Sequence, residues 1–162
     1  MFEDTELGML ARRLMALDES EIFVEASDKE VLEHIELLNK RQLIKGRNSE
    51  GELLSNIGGE YSDTTMELAE LEGRPKDSKS IVNLFSDGDF HKSIKADVEK
   101  EGYEITSDPI KRDPLNGLTT NLLERYGEEV EGLEESSIKD LVETKLLDKY
   151  VKAAEKKIFE GQ

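Results

Sequence analysis

The stretch Leu84-Phe85-Ser86-Asp87-Gly88-Asp89-Phe90-His91-Lys92-Ser93-Ile94 carries the densest local signal in the chain. Asp87-Gly88 is a turn dipeptide, because Gly reaches positive φ at no steric cost and Asp bonds its own local backbone. Beyond it the side chains alternate. Phe90, Ile94, Ala96 and Val98 share one face, interrupted only by Lys92, while His91, Ser93, Lys95, Asp97 and Glu99 share the other. A period of two predicts a strand with one wet side. Lys100-Glu101-Gly102 then offers a reversal, and Tyr103 and Ile105 point inward on a return strand. The expectation is a hairpin with a loop of about three residues.

Leu84, Gly88, Phe90, Ser93 and Ile94 also stand in a spacing similar to L-x-x-T-G-x-[LF]-x-x-S-[IF]. Tail-completion and neck proteins of tailed bacteriophages, the virion-morphogenesis or minor structural proteins, carry that segment. Asp87 stands where their Thr is usual. Upstream, Gly46-Arg47-Asn48-Ser49-Glu50-Gly51, then Tyr61-Ser62, then a short helix ending at Gly73-Arg74-Pro75 come in the order the family shows. The lysine usual in that helix is missing, with Leu68 or Ala69 near its place. The resemblance runs roughly from Gln42 to Ile158. It implies a ring stacked on the portal axis, joining head to tail and letting the genome pass.

At 162 residues the chain fits one α+β domain spanning 1–162, with residues 1–26 as an N-terminal helical element that projects or binds a partner. Apolar residues make up 36% and charged residues 37%, so the core is modest and the surface heavily charged. The 38 carboxylates against 22 Lys and Arg give a net charge of −16. That balance opposes specific nucleic-acid binding, which depends on cations neutralising phosphates, and it opposes anionic membrane surfaces too. No apolar run approaches the ~20 residues of a bilayer span. Met1-Phe2-Glu3-Asp4 has the wrong chemistry for a signal peptide. With no Cys there is no disulfide or thiolate site, which suits assembly in a reducing host cytoplasm.

Asp4 or Thr5 can cap a first helix bearing Leu7, Leu10, Ala11, Leu14 and Leu17 on one side and Arg12-Arg13 on the other. Asp18-Glu19-Ser20-Glu21 interrupts it, and Ile22-Phe23-Val24 fits either regular structure. Ser27-Asp28-Lys29-Glu30 reads as a capping box for a helix carrying Val31, Ile35 and Leu38 and stopping at Lys45-Gly46. Residues 47–59 read as an irregular connection anchored by Leu53, Leu54 and Ile57. A short helix over Ser62–Leu71 follows, then a polar loop over 76–80. Asp108-Pro109 and Asp113-Pro114 punctuate a loop ahead of a helix from about Leu115 to Tyr126.

The longest helix is expected last. Ser137 and Asp140 stand at capping-box spacing, and Ile138, Val142, Leu146, Tyr150, Ala154 and Ile158 recur every four residues. Lys152, Lys156 and Lys157 suit its C-terminal dipole. About 22 residues would extend about 33 Å, more than a hairpin covers, so part of the stripe should meet another element or subunit.

Catalytic and metal chemistry has thin support. His34 and His91 have no Cys, HExxH frame or Ser-His-Asp arrangement beside them and read as surface histidines. Asp87-Gly88-Asp89 opens like a calcium loop, but Lys92 and Val98 occupy the positions that need Gly and Glu. Glu128, Glu129, Glu131, Glu134 and Glu135 could do acid–base work only in a desolvated cleft, and a Gly-interleaved run reads as solvated linker. Gly58-Gly59 and Gly46/Gly51 lack the Lys-Ser/Thr of a phosphate loop. No enzyme, metal or cofactor is expected.

The resemblance implies the function of a virion structural protein, a homo-oligomeric connector ring contacting portal and other neck or tail proteins. An anionic wall would let DNA pass without sticking. Leu7, Leu10, Leu14, Leu146, Tyr150 and Ile158 are the candidate inter-subunit contacts. The alternative is a small acidic regulator or DNA mimic that occupies the basic groove of a cytoplasmic enzyme.

Overall fold

The computed structural model describes residues 5–113 and 116–160, and in them the chain is α+β. Helix α1 (Glu6–Met15) is capped by Thr5, whose side chain accepts from Gly8 N; the alternative cap Asp4 lies outside the described residues. The chain breaks at Leu17, and Asp18 caps α2 (Glu19–Ala26) by accepting from Ser20 N and Glu21 N. The acidic run therefore starts a helix, and Ile22-Phe23-Val24 is helical.

Helix α3 (Lys29–Ile44) forms the spine of the molecule, with Val31, Ile35, Leu38 and Leu43 buried along it. Its cap corrects the expected box. Asp28, not Ser27, accepts from Val31 N, while Ser27 Oγ sits against Phe23 O and Tyr103 Oη. A carboxylate one residue nearer the helix outcompetes the hydroxyl, and Glu30 is drawn away to lysines on the last helix.

The connection after α3 is more ordered than a loop. Arg47 bridges Leu53, and Leu54 begins the short helix α4 (Leu54–Gly58). Leu54 is fully buried, while Ile57 is 40% exposed and contributes less than expected to the anchor. Asn48 holds the turn by accepting from Glu50 N and Glu52 N. Helix α5 (Asp63–Leu71) follows with Ser62 as its cap.

The decisive stretch departs from the alternating strand. Gly88 has φ +87 and starts a short helix, α6 (Asp89–Ser93), before β1 (Lys95–Glu99) begins. Phe90, Ile94 and Ala96 are buried as expected, because a four-residue step satisfies a helical turn as well as two strand steps. His91 is the casualty of the wrong period: it is buried, between Phe85 and Phe90, with Nε2 2.8 Å from Asn83 O.

Strand β1 pairs antiparallel with β2 (Gly102–Thr106), from Lys95 opposite Thr106 to Glu99 opposite Gly102. Gly102 already belongs to the ladder, so the turn is Lys100-Glu101 alone. Ile105 is buried and Tyr103 half-buried, as the alternation required. A second hairpin, β3 (Ile110–Arg112) with β4 (Thr119–Asn121), stands where a loop and most of a helix were expected. Leu115, that helix's expected start, lies outside the described residues. Only α7 (Leu122–Tyr126) is helical there, because Asn121 caps Leu123 N and Glu124 N.

After a 3₁₀ turn at Glu128–Val130, the chain enters α8 (Glu135–Leu141), a π turn (Val142–Leu146) and α9 (Leu147–Phe159) without a break. The expected Ser137–Asp140 cap is absent: Ser137 lies inside α8, and Ser137 N donates to Glu134 O. The π turn inserts a residue and rephases the helix. Ile138 and Val142 therefore face out, Leu141 is buried, and Leu146, Tyr150, Ala154 and Ile158 are half-buried.

One core gathers α3, Leu54, Val82, Phe90, Ile94, Ala96, Ile105, Tyr126, Val130 and Leu141. Helices α1, α2 and α9 make a second, thinner unit around Ile22, Ala26 and Ala153. It meets the hairpin where Phe23 packs on Tyr103, ring centroids 5.0 Å apart.

Candidate functional site

Two surfaces stand out: the open side of the α1–α9 unit, and a cleft beside the Leu84–Ile94 stretch.

Helix α9 has two rows. The inner row is basic: Lys157 reaches Glu21 (2.8 Å), Lys156 reaches Glu25 (3.4 Å), Lys149 reaches Asp28 and Glu30, and Lys145 reaches Glu30 (2.7 Å). These pairs run antiparallel along α2 and the start of α3 and align α9. Arg13 Nη1 donates to Ile158 O (3.0 Å), placing a cation at the negative end of α9. Sequence alone assigned Lys156 and Lys157 to the helix dipole, gave Lys145 and Lys149 no role, and missed the cross-chain partners of all four. The signal was present as Lys145, Lys149 and Lys157, a four-residue step and then an eight-residue step that return to one helix face.

Glu30 is held down to about 2 by its hydrogen bonds to Lys145 and then Lys149, and Asp28 is lowered chiefly by Lys149. A depressed carboxylate stabilises the fold above its unfolded value and loses that contribution as pH falls through the folded one. Wild type should therefore exceed Glu30→Gln in urea midpoint at pH 7. The gap should close between about pH 4.5 and pH 2. A gap independent of pH would show that the pair does not hold α9.

The outer side exposes large apolar side chains, with Asp148, Lys152 and Glu155 exposed among them. Leu7 is 62% exposed, Leu14 59%, Met15 88% and Phe159 66%, with Leu147 and Val151 also exposed. Of the expected contact residues, Leu7 and Leu14 are open and Leu10 half-buried. Leu146, Tyr150 and Ile158 are half-buried within the chain, so the open face of α9 lies one position over.

The five residues shared with the phage segment mostly build rather than bind. Gly88 starts α6; Phe90 and Ile94 fill the core; Ser93 Oγ donates to Phe90 O and accepts from Asp108 N. Asp87 supplies what a Thr hydroxyl could, a cap on Asp89 N, and adds a double contact to Lys111 that ties the second hairpin to the stretch. That contact holds Asp87 down to about 2. Leu84 is the exception. Its φ of +52 is a left-handed conformation costing about 1–2 kcal/mol for a branched side chain, and such outliers gather where a site imposes them.

Leu84 lines a cleft of about 470 Å³ between α5, the 74–86 segment, the second hairpin and α7. Leu68, Ala69, Phe85, Leu122, Tyr61 and Tyr126 give it an apolar and aromatic lining, and Arg74, Lys76, Lys111 and Arg125 give it four cations. Asn83 organises the wall: its Oδ1 accepts from Tyr61 Oη (3.0 Å), Lys76 Nζ (3.3 Å) and Phe85 N (3.1 Å). Lys76 also bonds Phe85 O and lies 5.0 Å from the Tyr61 ring centre; Arg74 bonds Ser86 O and Glu72. Burial, then the nearby Arg74 and Lys111, lower the Lys76 pKa, while burial pushes the Tyr61 hydroxyl up to about 12. Arg125 Nε donates to Gly58 O (2.9 Å).

Sequence reading missed this cleft because its cations are spread from residue 74 to 125. The base-Pro-base run Arg74-Pro75-Lys76 beside the central stretch was the available hint. The other candidates stay apart. His34 pairs with Asp140 at 3.3 Å and is mostly covered, not a surface histidine. Glu131 accepts from Ser107 Oγ, while Glu128, Glu129 and Glu135 are exposed. Among the described residues no three His, Cys, Asp or Glu side chains gather as a metal site, and no helix is long and apolar enough to cross a membrane. No family model, curated protein or solved structure matches this chain.

Proposed function

We propose that the chain is a virion structural protein of a tailed phage: a ring-forming connector of the neck that joins portal to tail around the DNA channel. The observation that carries the reading is the set of large apolar side chains exposed on the outer side of the α1–α9 unit. Leu7, Leu14, Met15, Leu147, Val151 and Phe159 expose large side chains on two helices in contact, the pattern of a surface that a partner covers. The resemblance of Leu84, Gly88, Phe90, Ser93 and Ile94 to the phage segment supplies the class of partner, copies of this chain and the portal. A closed ring requires two different, complementary patches per copy.

Leu7→Asp with Leu14→Asp tests this. Both positions are exposed, so the midpoint of thermal unfolding should stay nearly unchanged, within about 0.5 kcal/mol of wild type. Native mass measurement, alone and with portal, should show wild type in rings or portal complexes and the double variant as monomer. A wild-type chain that stays monomeric at all concentrations and never joins a portal or tail preparation overturns the reading.

A further inference from the structure

The chain is strongly acidic, yet four of its cations converge on one half-open cleft with an aromatic and aliphatic lining. Two are not neutralised internally. Among the described residues neither Lys76 nor Arg125 forms an ion pair with a carboxylate. Lys76 spends its bonds on Phe85 O and Asn83 Oδ1. Arg125 spends Nε on Gly58 O, and its terminal nitrogens, the fork that grips a carboxylate in two places, make no hydrogen bond among the described residues. The strained Leu84 holds the wall that carries Phe85 and Ser86.

We propose that this cleft binds a peptide segment that presents one carboxylate beside a bulky apolar side chain, supplied by the Phe159-Glu160 end of α9 in a neighbouring copy. A polyphosphate is the poorer occupant. Glu60, Glu72 and Asp113 interrupt the rim, and a net charge of −16 repels a nucleic acid before contact. A single carboxylate needs only the two cations without a carboxylate partner among the described residues, Lys76 over the Tyr61 ring (5.0 Å) and Arg125 over the Tyr126 ring (5.2 Å). Phe159 is two-thirds exposed at the end of α9, followed directly by exposed Glu160. A phenyl ring on the Tyr61 and Tyr126 side of the cleft with a carboxylate on Arg125 and Lys76 matches both chemistries. Cleft and helix end are different patches, so their pairing is head-to-tail, the relation a ring needs. The inference rests on the ring reading for its assembly arm, but its binding arm does not.

The binding arm uses a labelled peptide of residues 155–162 and the full chain, read by fluorescence anisotropy. Saturable binding should weaken by about tenfold or more with Arg125→Ala, with Lys76→Ala, and with peptides carrying Phe159→Ala or Glu160→Gln. Arg125 is exposed, so its variant keeps the fold even if Lys76→Ala does not. An oligonucleotide should not compete. Absence of saturable binding, indifference to Arg125→Ala, or displacement by the oligonucleotide each overturns the proposal. In the assembly arm, Arg125→Glu or Glu160→Lys alone should abolish rings, and mixing the two should restore hetero-contacts through one matched reversed pair. Rings that persist with Glu160→Lys sink the inference and leave the connector reading standing. Peptide binding by a chain that never assembles does the reverse.

Discussion

Asn39→Asp should cost about 3–5 kcal/mol at pH 7, the largest effect expected of any isosteric change in the molecule. Asn39 lies fully buried on α3, where its Nδ2 donates to Val130 O (2.9 Å) and Gly132 O (2.8 Å). Gln42, one turn on, donates to Gly132 O (3.0 Å) and accepts from Glu134 N (2.7 Å). The two amides bolt residues 130–134 to α3 and so set where α8 begins. A carboxylate of the same shape cannot donate, and its charge would face two carbonyl oxygens. Its folded pKa must rise, so the deficit should be full above that value and shrink as pH falls and the group is protonated. Urea midpoints from pH 7 to pH 4 read this directly. A deficit below about 1 kcal/mol, or one that grows in acid, would mean the linker is held by something else.

Gly58→Ala comes second, at about 2–3 kcal/mol, or roughly 4 to 12 °C in Tm. A Cβ there would lie 2.3 Å from Tyr126 Cε1 and 2.9 Å from Arg125 O. The ring is buried and the carbonyl is backbone, so neither yields easily. Neighbouring Gly59 is the control: a Cβ meets nothing within 4 Å, but φ +86 and ψ 163 lie where essentially only glycine sits, so Gly59→Ala should cost about 1–3 kcal/mol of backbone strain and nothing in packing. Trimming Tyr126 to Leu should recover part of the loss in Gly58→Ala and none in Gly59→Ala. A Gly58→Ala loss unaffected by trimming Tyr126 would contradict the packing assignment of α4 on α7.

What the sequence disclosed follows from interaction range. Caps and turns are local, and Thr5 and the Lys45-Gly46 stop sit where their chemistry placed them. The α+β class, the first hairpin and the long last helix followed from periodicity. Reading failed where two periods agree: Phe90 and Ile94 suit a helical turn and a strand alike, and Gly88's backbone and Asp87's cap decided for the helix. It failed again at β3–β4, too short to show a period. The cleft was illegible because its cations converge only through tertiary packing. Lys111 and Asp87 stand 24 residues apart in the chain. The open faces of α1 and α9 were visible as stripes, but which residues of the last stripe face out depends on the π turn at Val142–Leu146, which no residue pattern announced.

The two rows of α9 respond in opposite directions to ionic strength. Added electrolyte shields the lysine–carboxylate ladder that seats the helix on its own chain, while excluded salts such as sulfate strengthen contact between greasy surfaces. A brine-rich buffer would thus loosen this arm from its own body and make its outer side more adhesive. Dilute buffer would do the opposite, so the surrounding ions tune how readily the molecule trades an internal embrace for an external one.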